Sequence, residues 1–181
     1  TSTNDTLLLL ANGMAENPKI DSKNQDYYDF LNALNCINTQ MAKKIAADGE
    51  GCEHLIECKV VGAKDVQTAR ALAKSVISSS LVKAAFFGKD ANWGRILCAM
   101  GYSGELFDPQ KVSVSFSNSK GCIKVYDHGN PVDFDEDNAK ILLSEKEVGI
   151  LVLLEEGEAS GTAWGCDLTY EYVKINGDYR T

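Results

Sequence analysis

Between Asp26 and Ala47 the apolar residues Phe30, Leu34, Ile37, Met41 and Ile45 return at every third or fourth position. That spacing predicts a helix with one apolar face. Lys43 and Lys44 suit its last turns, and Gly49 follows as a stop. A second helix is predicted over Asp65–Ser79, with Val66, Ala69, Leu72, Ala73 and Val76 on its apolar face and Asp65 as N-cap. Asn92–Met100 reads as a third helix stopped by Gly101, and Asp135–Ser144 as a fourth with acidic residues in its first turn. Elsewhere the period shortens to two. In Cys52–Val61, Ile56, Cys58 and Val60 fall on one face and Leu55, Glu57 and Lys59 on the other, which predicts a strand. Val112, Val114 and Phe116 alternate with Ser113, Ser115 and Ser117, and a turn at Asn118–Gly121 leads into Cys122–Tyr126, a hairpin pattern. Val148–Leu154 is apolar on both faces and so predicts a central strand. Leu7–Ala11 reads as a buried strand or helix start, Leu81–Phe87 as a strand, and Gly161–Val173 as the last strand; Ala15–Asn24 and Asp127–Pro131 are irregular.

This mixture of hairpins and helices predicts the α+β class, with mixed and antiparallel sheets layered against helices. Gly and Pro cluster between Tyr102 and Pro109, so a boundary is expected there, between a lobe of residues 1–105 and a smaller one of 106–181. A chain of 181 residues, 44% hydrophobic, can bury a sizeable core. No run approaches the roughly 18 apolar residues of a membrane span, and no basic segment followed by an apolar one opens the chain as a secretory signal would. The polar stretch Thr1–Thr6 runs straight into an apolar one, an opening expected of a chain that continues upstream. The net charge of −8 and the lack of a basic stripe argue against a nucleic-acid partner. Six cysteines without a C-x-x-C pair predict reduced, half-buried thiols and a cytoplasmic protein.

Candidate chemistry is sparse. Glycine-rich nucleotide loops, the nucleophile elbow and the zinc-protease helix are all absent. Of two histidines, His128 sits in the Asp127-His128-Gly129 turn and reads as a solvated turn residue. His54 shares strand parity with Cys52 and Cys58, but no fourth ligand stands nearby, so no metal is expected. A chain-terminal Thr1 could use its own amine as general base, or simply mark where the chain begins. Asp48-Gly49-Glu50-Gly51 flanks a carboxylate with glycines that let the backbone bend toward a ligand; on composition alone an acidic helix-exit turn is the better reading. Asn92-Trp93-Gly94-Arg95 opens a helix and could hold a carboxylate, though an N-cap with Trp93 in the core explains it more simply. The tail Asn176–Thr181 would fray, or fold back into a cleft.

Four of these segments, in order, resemble one family. They are Thr1-Ser-Thr-Asn-Asp-Thr6 with Ala11-Asn12-Gly13; Ala47-Asp48-Gly49-Glu50-Gly51; Leu81-Val82-Lys83 through Phe87-Gly88-Lys89-Asp90-Ala91-Asn92-Trp93-Gly94-Arg95; and Tyr172–Asn176 with Tyr179-Arg180-Thr181. The family is ornithine acetyltransferase (glutamate N-acetyltransferase), the bifunctional arginine biosynthesis protein, and the likeness is to the C-terminal part of its β chain. The resemblance implies a precursor that cleaves itself, an α chain as partner, and a dimer of αβ pairs. It also implies acetyl transfer from N-acetylornithine to glutamate through a threonyl ester. It implies no metal and no bound cofactor; acetyl-CoA is an alternative donor in bifunctional members, and its use here stays open.

The family's nucleophilic Thr belongs to a segment upstream of Thr1 that this sequence lacks, so no catalytic residue is expected in this chain. Glu50, Asn176 and Thr181 match the family's substrate-binding positions. A carboxylate there can hold an ammonium; an amide and a hydroxyl can hold a carboxylate or fix a closed tail. The rivals are a hydrolase of the same self-cleaving architecture (an aminopeptidase or amidohydrolase) and a non-catalytic fragment.

Overall fold

A computed structural model describes residues 5–178. Helix α1 spans Gln25–Ala47, capped by Asn24, whose side chain accepts from the Tyr27 amide. Strand β1 (Leu55–Ala63) leads to α2 (Val66–Ser78), α3 (Ser80–Phe87) and α4 (Trp93–Gly101). Then come β2 (Ser113–Asn118), β3 (Gly121–Asp127), the short β4 (Asn130–Pro131), α5 (Glu136–Leu143), β5 (Glu147–Leu153), β6 (Ala159–Cys166) and α6 (Tyr170–Asp178).

The strands form one six-stranded sheet in the order β4-β3-β2-β5-β1-β6. β1 runs parallel to β5, with Cys58 opposite Ile150, and antiparallel to β6, with Cys58 opposite Ala163. The expected α+β class is present. The boundary expected between 105 and 106, however, does not separate two sheets, because β1 lies between strands that come from the other side of it.

The inner face of the sheet carries the alternating residues that the period of two predicts. Ile56, Cys58 and Val60 on β1, Val148, Ile150 and Val152 on β5, and Val114 and Phe116 on β2 are all buried. Helix α2 lays Ala69, Leu72, Ala73 and Val76 against them. It approaches β6 closely because β6 offers glycine: a Cβ at Gly161 would stand 2.6 Å from the Arg70 amide nitrogen. Helix α1 lies by the outer face, where Lys43 pairs with Glu57 at 3.0 Å and sits 5.7 Å from the Trp164 ring centre.

Three predicted elements differ. Leu81–Phe87 is helical, not extended: Ser79 caps it by accepting from the Val82 amide, and Val82, Ala85 and Phe86 turn inward at helical spacing. The last strand ends at Cys166, because Asp167–Thr169 leave the sheet and Thr169 accepts from the Tyr172 amide to start α6. Leu7–Leu10 is neither regular nor buried; these leucines are 58–89% exposed. All six cysteines are free, Cys58 buried, Cys52 and Cys166 half-buried, and the other three exposed. Among the described residues no helix is long and apolar enough to cross a membrane.

Candidate functional site

At the end of α1 the chain turns sharply into β1. The Asp48 amide closes the helix by donating to the Lys44 and Ile45 carbonyls. Cys52 then donates to the Gly49 carbonyl at 3.0 Å, a four-residue turn whose third residue, Gly51, takes a φ of +67°. Only glycine adopts that conformation without strain. Both glycines are also steric requirements. A Cβ on Gly49 would meet the Cys166 sulfur at 2.5 Å, and one on Gly51 would meet the Tyr172 amide nitrogen at 2.8 Å. The turn is therefore pressed against the end of β6 on one side and the first turn of α6 on the other, with Glu50 at its exposed corner.

The start of α6 is tied to the same turn. Thr169 Oγ1 donates to the Gly51 carbonyl at 2.6 Å while capping its own helix. Two turns further on, Asn176 Nδ2 donates to Glu50 Oε2 at 2.9 Å and to the Tyr172 carbonyl at 2.9 Å. Glu50 and Asn176, two of the three predicted site residues, are thus in direct contact. The third, Thr181, lies outside the described residues, as does Thr1. The Asn176 contact narrows what that residue can do. Both of its N–H donors are engaged, so it presents an acceptor, Oδ1, rather than the donor a carboxylate would need.

A buried pair with no signature in the local residue pattern anchors this arrangement. His54 Nδ1 lies 2.7 Å from Asp167 Oδ2, and Asp167 Oδ1 accepts from the Glu53 and His54 amides at 2.9 and 3.2 Å. The Asp167 amide in turn donates to the His54 carbonyl at 3.3 Å. A buried carboxylate with three donors is well satisfied, and it fixes where the chain leaves β6 for α6. His54, Cys52 and Cys58 do not converge on a metal: Cys58 is in the core, Cys52 donates to the Ala47 carbonyl, and His54 faces Asp167. Burial, and then the neighbouring Cys166 and Asp167, push the Cys52 thiol up from its ordinary value, so it is no ready thiolate nucleophile.

Beside the turn opens a cavity of about 510 Å³, bounded by the end of α1, the end of α2 and β6. Asp5, Asp48, Gly49, Lys83 and Trp164 line it. Lys83 was expected only as part of a sequence signature. It projects from α3, with its Nζ 3.9 Å from the Cys166 sulfur. Three other members of that signature make structural contacts. Asn92 caps α4, accepting from the Arg95 amide; Trp93 stacks on Tyr126 with ring centres 4.9 Å apart; and Arg95 Nη1 donates to the Leu81 carbonyl at 2.8 Å. Arg95 thereby holds the first turn of α3, on which Lys83 rides.

Comparison with known proteins adds four findings. The model of the ArgJ family matches residues 1–181. The arginine biosynthesis bifunctional protein ArgJ 1 of Clostridium acetobutylicum is 54% identical over 181 residues, all of this chain but 44% of that protein. The ArgJ protein of Thermotoga neapolitana is 48% identical over the whole chain and 46% of its own length. The crystal structure of the ArgJ protein of Bacillus halodurans superposes with a TM-score of 0.89 at 43% identity, covering 99% of this chain and 83% of that one. The chain spans less than half the length of the curated relatives it matches.

Proposed function

Since this chain belongs to the ArgJ family, we propose that it supplies the amino-acid-recognising wall of an acetyltransferase. The reaction moves an acetyl group from N-acetylornithine to glutamate. A threonine hydroxyl, contributed by polypeptide outside this chain, attacks the acetyl carbonyl and releases ornithine. The glutamate α-amine then attacks the threonyl ester and regenerates the hydroxyl. Donors from the partner α chain stabilise the oxyanion of each tetrahedral intermediate. Acetyl-CoA enters as an alternative donor, a co-substrate and not a bound cofactor.

The observation that carries this reading is the 2.9 Å contact between Glu50 and Asn176. Two remote segments that share the family resemblance meet there as a carboxylate and an open carbonyl oxygen, a pair suited to a substrate ammonium. Partnership with an α chain, and pairing of two such units, is supported by uncovered apolar surface. α1 has no buried residue, Phe30 and Ile37 on it are 60% and 55% exposed, and Leu7–Leu10 is open. A chain that is under half of its relatives' length leaves ample polypeptide to cover them.

The test is acetyl transfer by the assembled αβ enzyme, wild type against Glu50→Gln. A charge-assisted contact contributes about 1.5–3 kcal/mol, so the variant should raise the KM for ornithine-bearing substrate at least about tenfold. Unchanged steady-state kinetics would remove Glu50 from substrate binding. Deacetylation by the wild type without transfer to glutamate would favour the hydrolase reading instead.

A further inference from the structure

The cavity beside Gly49 gathers parts of three segments that carry the family resemblance and are far apart in sequence: Asp5, Asp48 with Gly49, and Lys83. In the reaction proposed above, on which this inference rests, donor and acceptor are different amino acids that react at the same atom, the α-nitrogen. Whatever their side chains, the α-carboxylate lies two bonds from that nitrogen. It therefore falls in one place in both half-reactions and calls for one fixed partner.

Within the described residues of this chain, few groups can serve. Asp5, Asp48 and Glu50 are carboxylates and repel it. Both Asn176 N–H groups are already given to Glu50 and to the Tyr172 carbonyl. Among the described residues, Lys83 is the only cationic side chain lining this cavity. Among them its ammonium hydrogen-bonds the Cys166 sulfur at 3.9 Å, a weak acceptor. Its position is also held. The Leu168 amide donates to the Lys83 carbonyl at 3.3 Å, and Arg95 grips the Leu81 carbonyl in the same helix. We propose that Lys83 binds the α-carboxylate common to the donor and acceptor amino acids, with Asp48 and Glu50 left to face the side-chain ammonium of the ornithine-bearing donor.

The test compares N-acetylornithine with its carboxamide, N-acetylornithinamide, in the assembled enzyme carrying wild-type Lys83, Lys83→Met, Lys83→Gln or Lys83→Arg. Wild type should prefer the acid by roughly tenfold or more in kcat/KM. In Lys83→Met the acid should fall to the level of the amide while the amide is unchanged, an effect that a general loss of packing would not produce. Lys83→Gln gives a second neutral variant should Lys83→Met fold poorly, and Lys83→Arg should retain part of the preference. A neutral variant that still prefers the acid as strongly as wild type overturns the role of Lys83 and leaves the proposed reaction standing. A wild-type enzyme that transfers no acetyl to glutamate overturns the reaction, and this inference with it.

Discussion

Helices α1 and α2 both pack by the edge strand β6, and both carry an apolar stripe. α2 buries Thr68, Ala69, Leu72, Ala73, Val76 and Ile77. α1, nearly twice as long, buries none. The difference lies in what each stripe meets. β6 receives α2 with Gly161 and Gly165, where a Cβ at the latter would stand 2.1 Å from Ile77 Cγ2, so the helix settles onto the backbone of the sheet. α1 reaches the sheet mainly through Lys43 on Glu57 and Trp164, and through the Gly49 turn against Cys166. Amphipathic spacing tells that a helix has a face to bury, and nothing about whether the burying surface is in the same chain.

The comparison predicts opposite outcomes for truncating each stripe. Leu72→Ala should destabilise by about 3 kcal/mol, as other buried leucines do, lowering the midpoint of thermal unfolding by many degrees. Phe30→Asp should change the stability of this chain by less than about 0.5 kcal/mol. The same change should weaken association with the α chain, read by analytical ultracentrifugation of the mixed chains. Equal effects on unfolding would show that α1 and α2 are not distinct in kind. The smallest effect is expected at His128, away from both helices. Glu155 on its Nε2, and then Asp127 on Nδ1, favour the imidazolium and raise its pKa. A raised folded value contributes stability that is full below the ordinary histidine pKa of about 6.5 and is lost as pH rises through the higher folded value. His128→Asn tolerates the left-handed backbone at this position (φ +44°). Its small melting deficit relative to wild type should therefore be present in acid and vanish in mild alkali. A deficit that is constant with pH would assign the effect to packing.

What could be read in advance follows the same line. α1, α2, α4 and α5 announce themselves by period and caps, β1 and β2 by alternation around residues such as Ile56 and Phe116, and β5 by a short run that is apolar on both faces. α3 does not, because eight mostly apolar residues give too short a window to separate a strand from a buried helix. The strand expected over Gly161–Val173 overruns β6 because Tyr170-Glu171-Tyr172-Val173 alternates like a strand, while the Thr169 cap that turns it into a helix depends on the Gly51 turn, remote in sequence. Glu50 and Asn176 were reached through resemblance, and their contact was not visible beforehand. The His54–Asp167 pair had no local pattern at all, since its two members join only when β1 and β6 are side by side. Lys83 lay within a quoted motif, but a motif does not say which member faces a cavity.

The placing of β1 between β5 and β6 also sets an order of events in time. β1 must wait for β5 and β6, which are made well after it, and so must the turn that carries Glu50. During synthesis Glu50 stays unformed until Thr169 and Asn176 have emerged, so folding dominated by such distant pairings should be slow. The corner proposed to recognise substrate therefore forms only once α6 has been made.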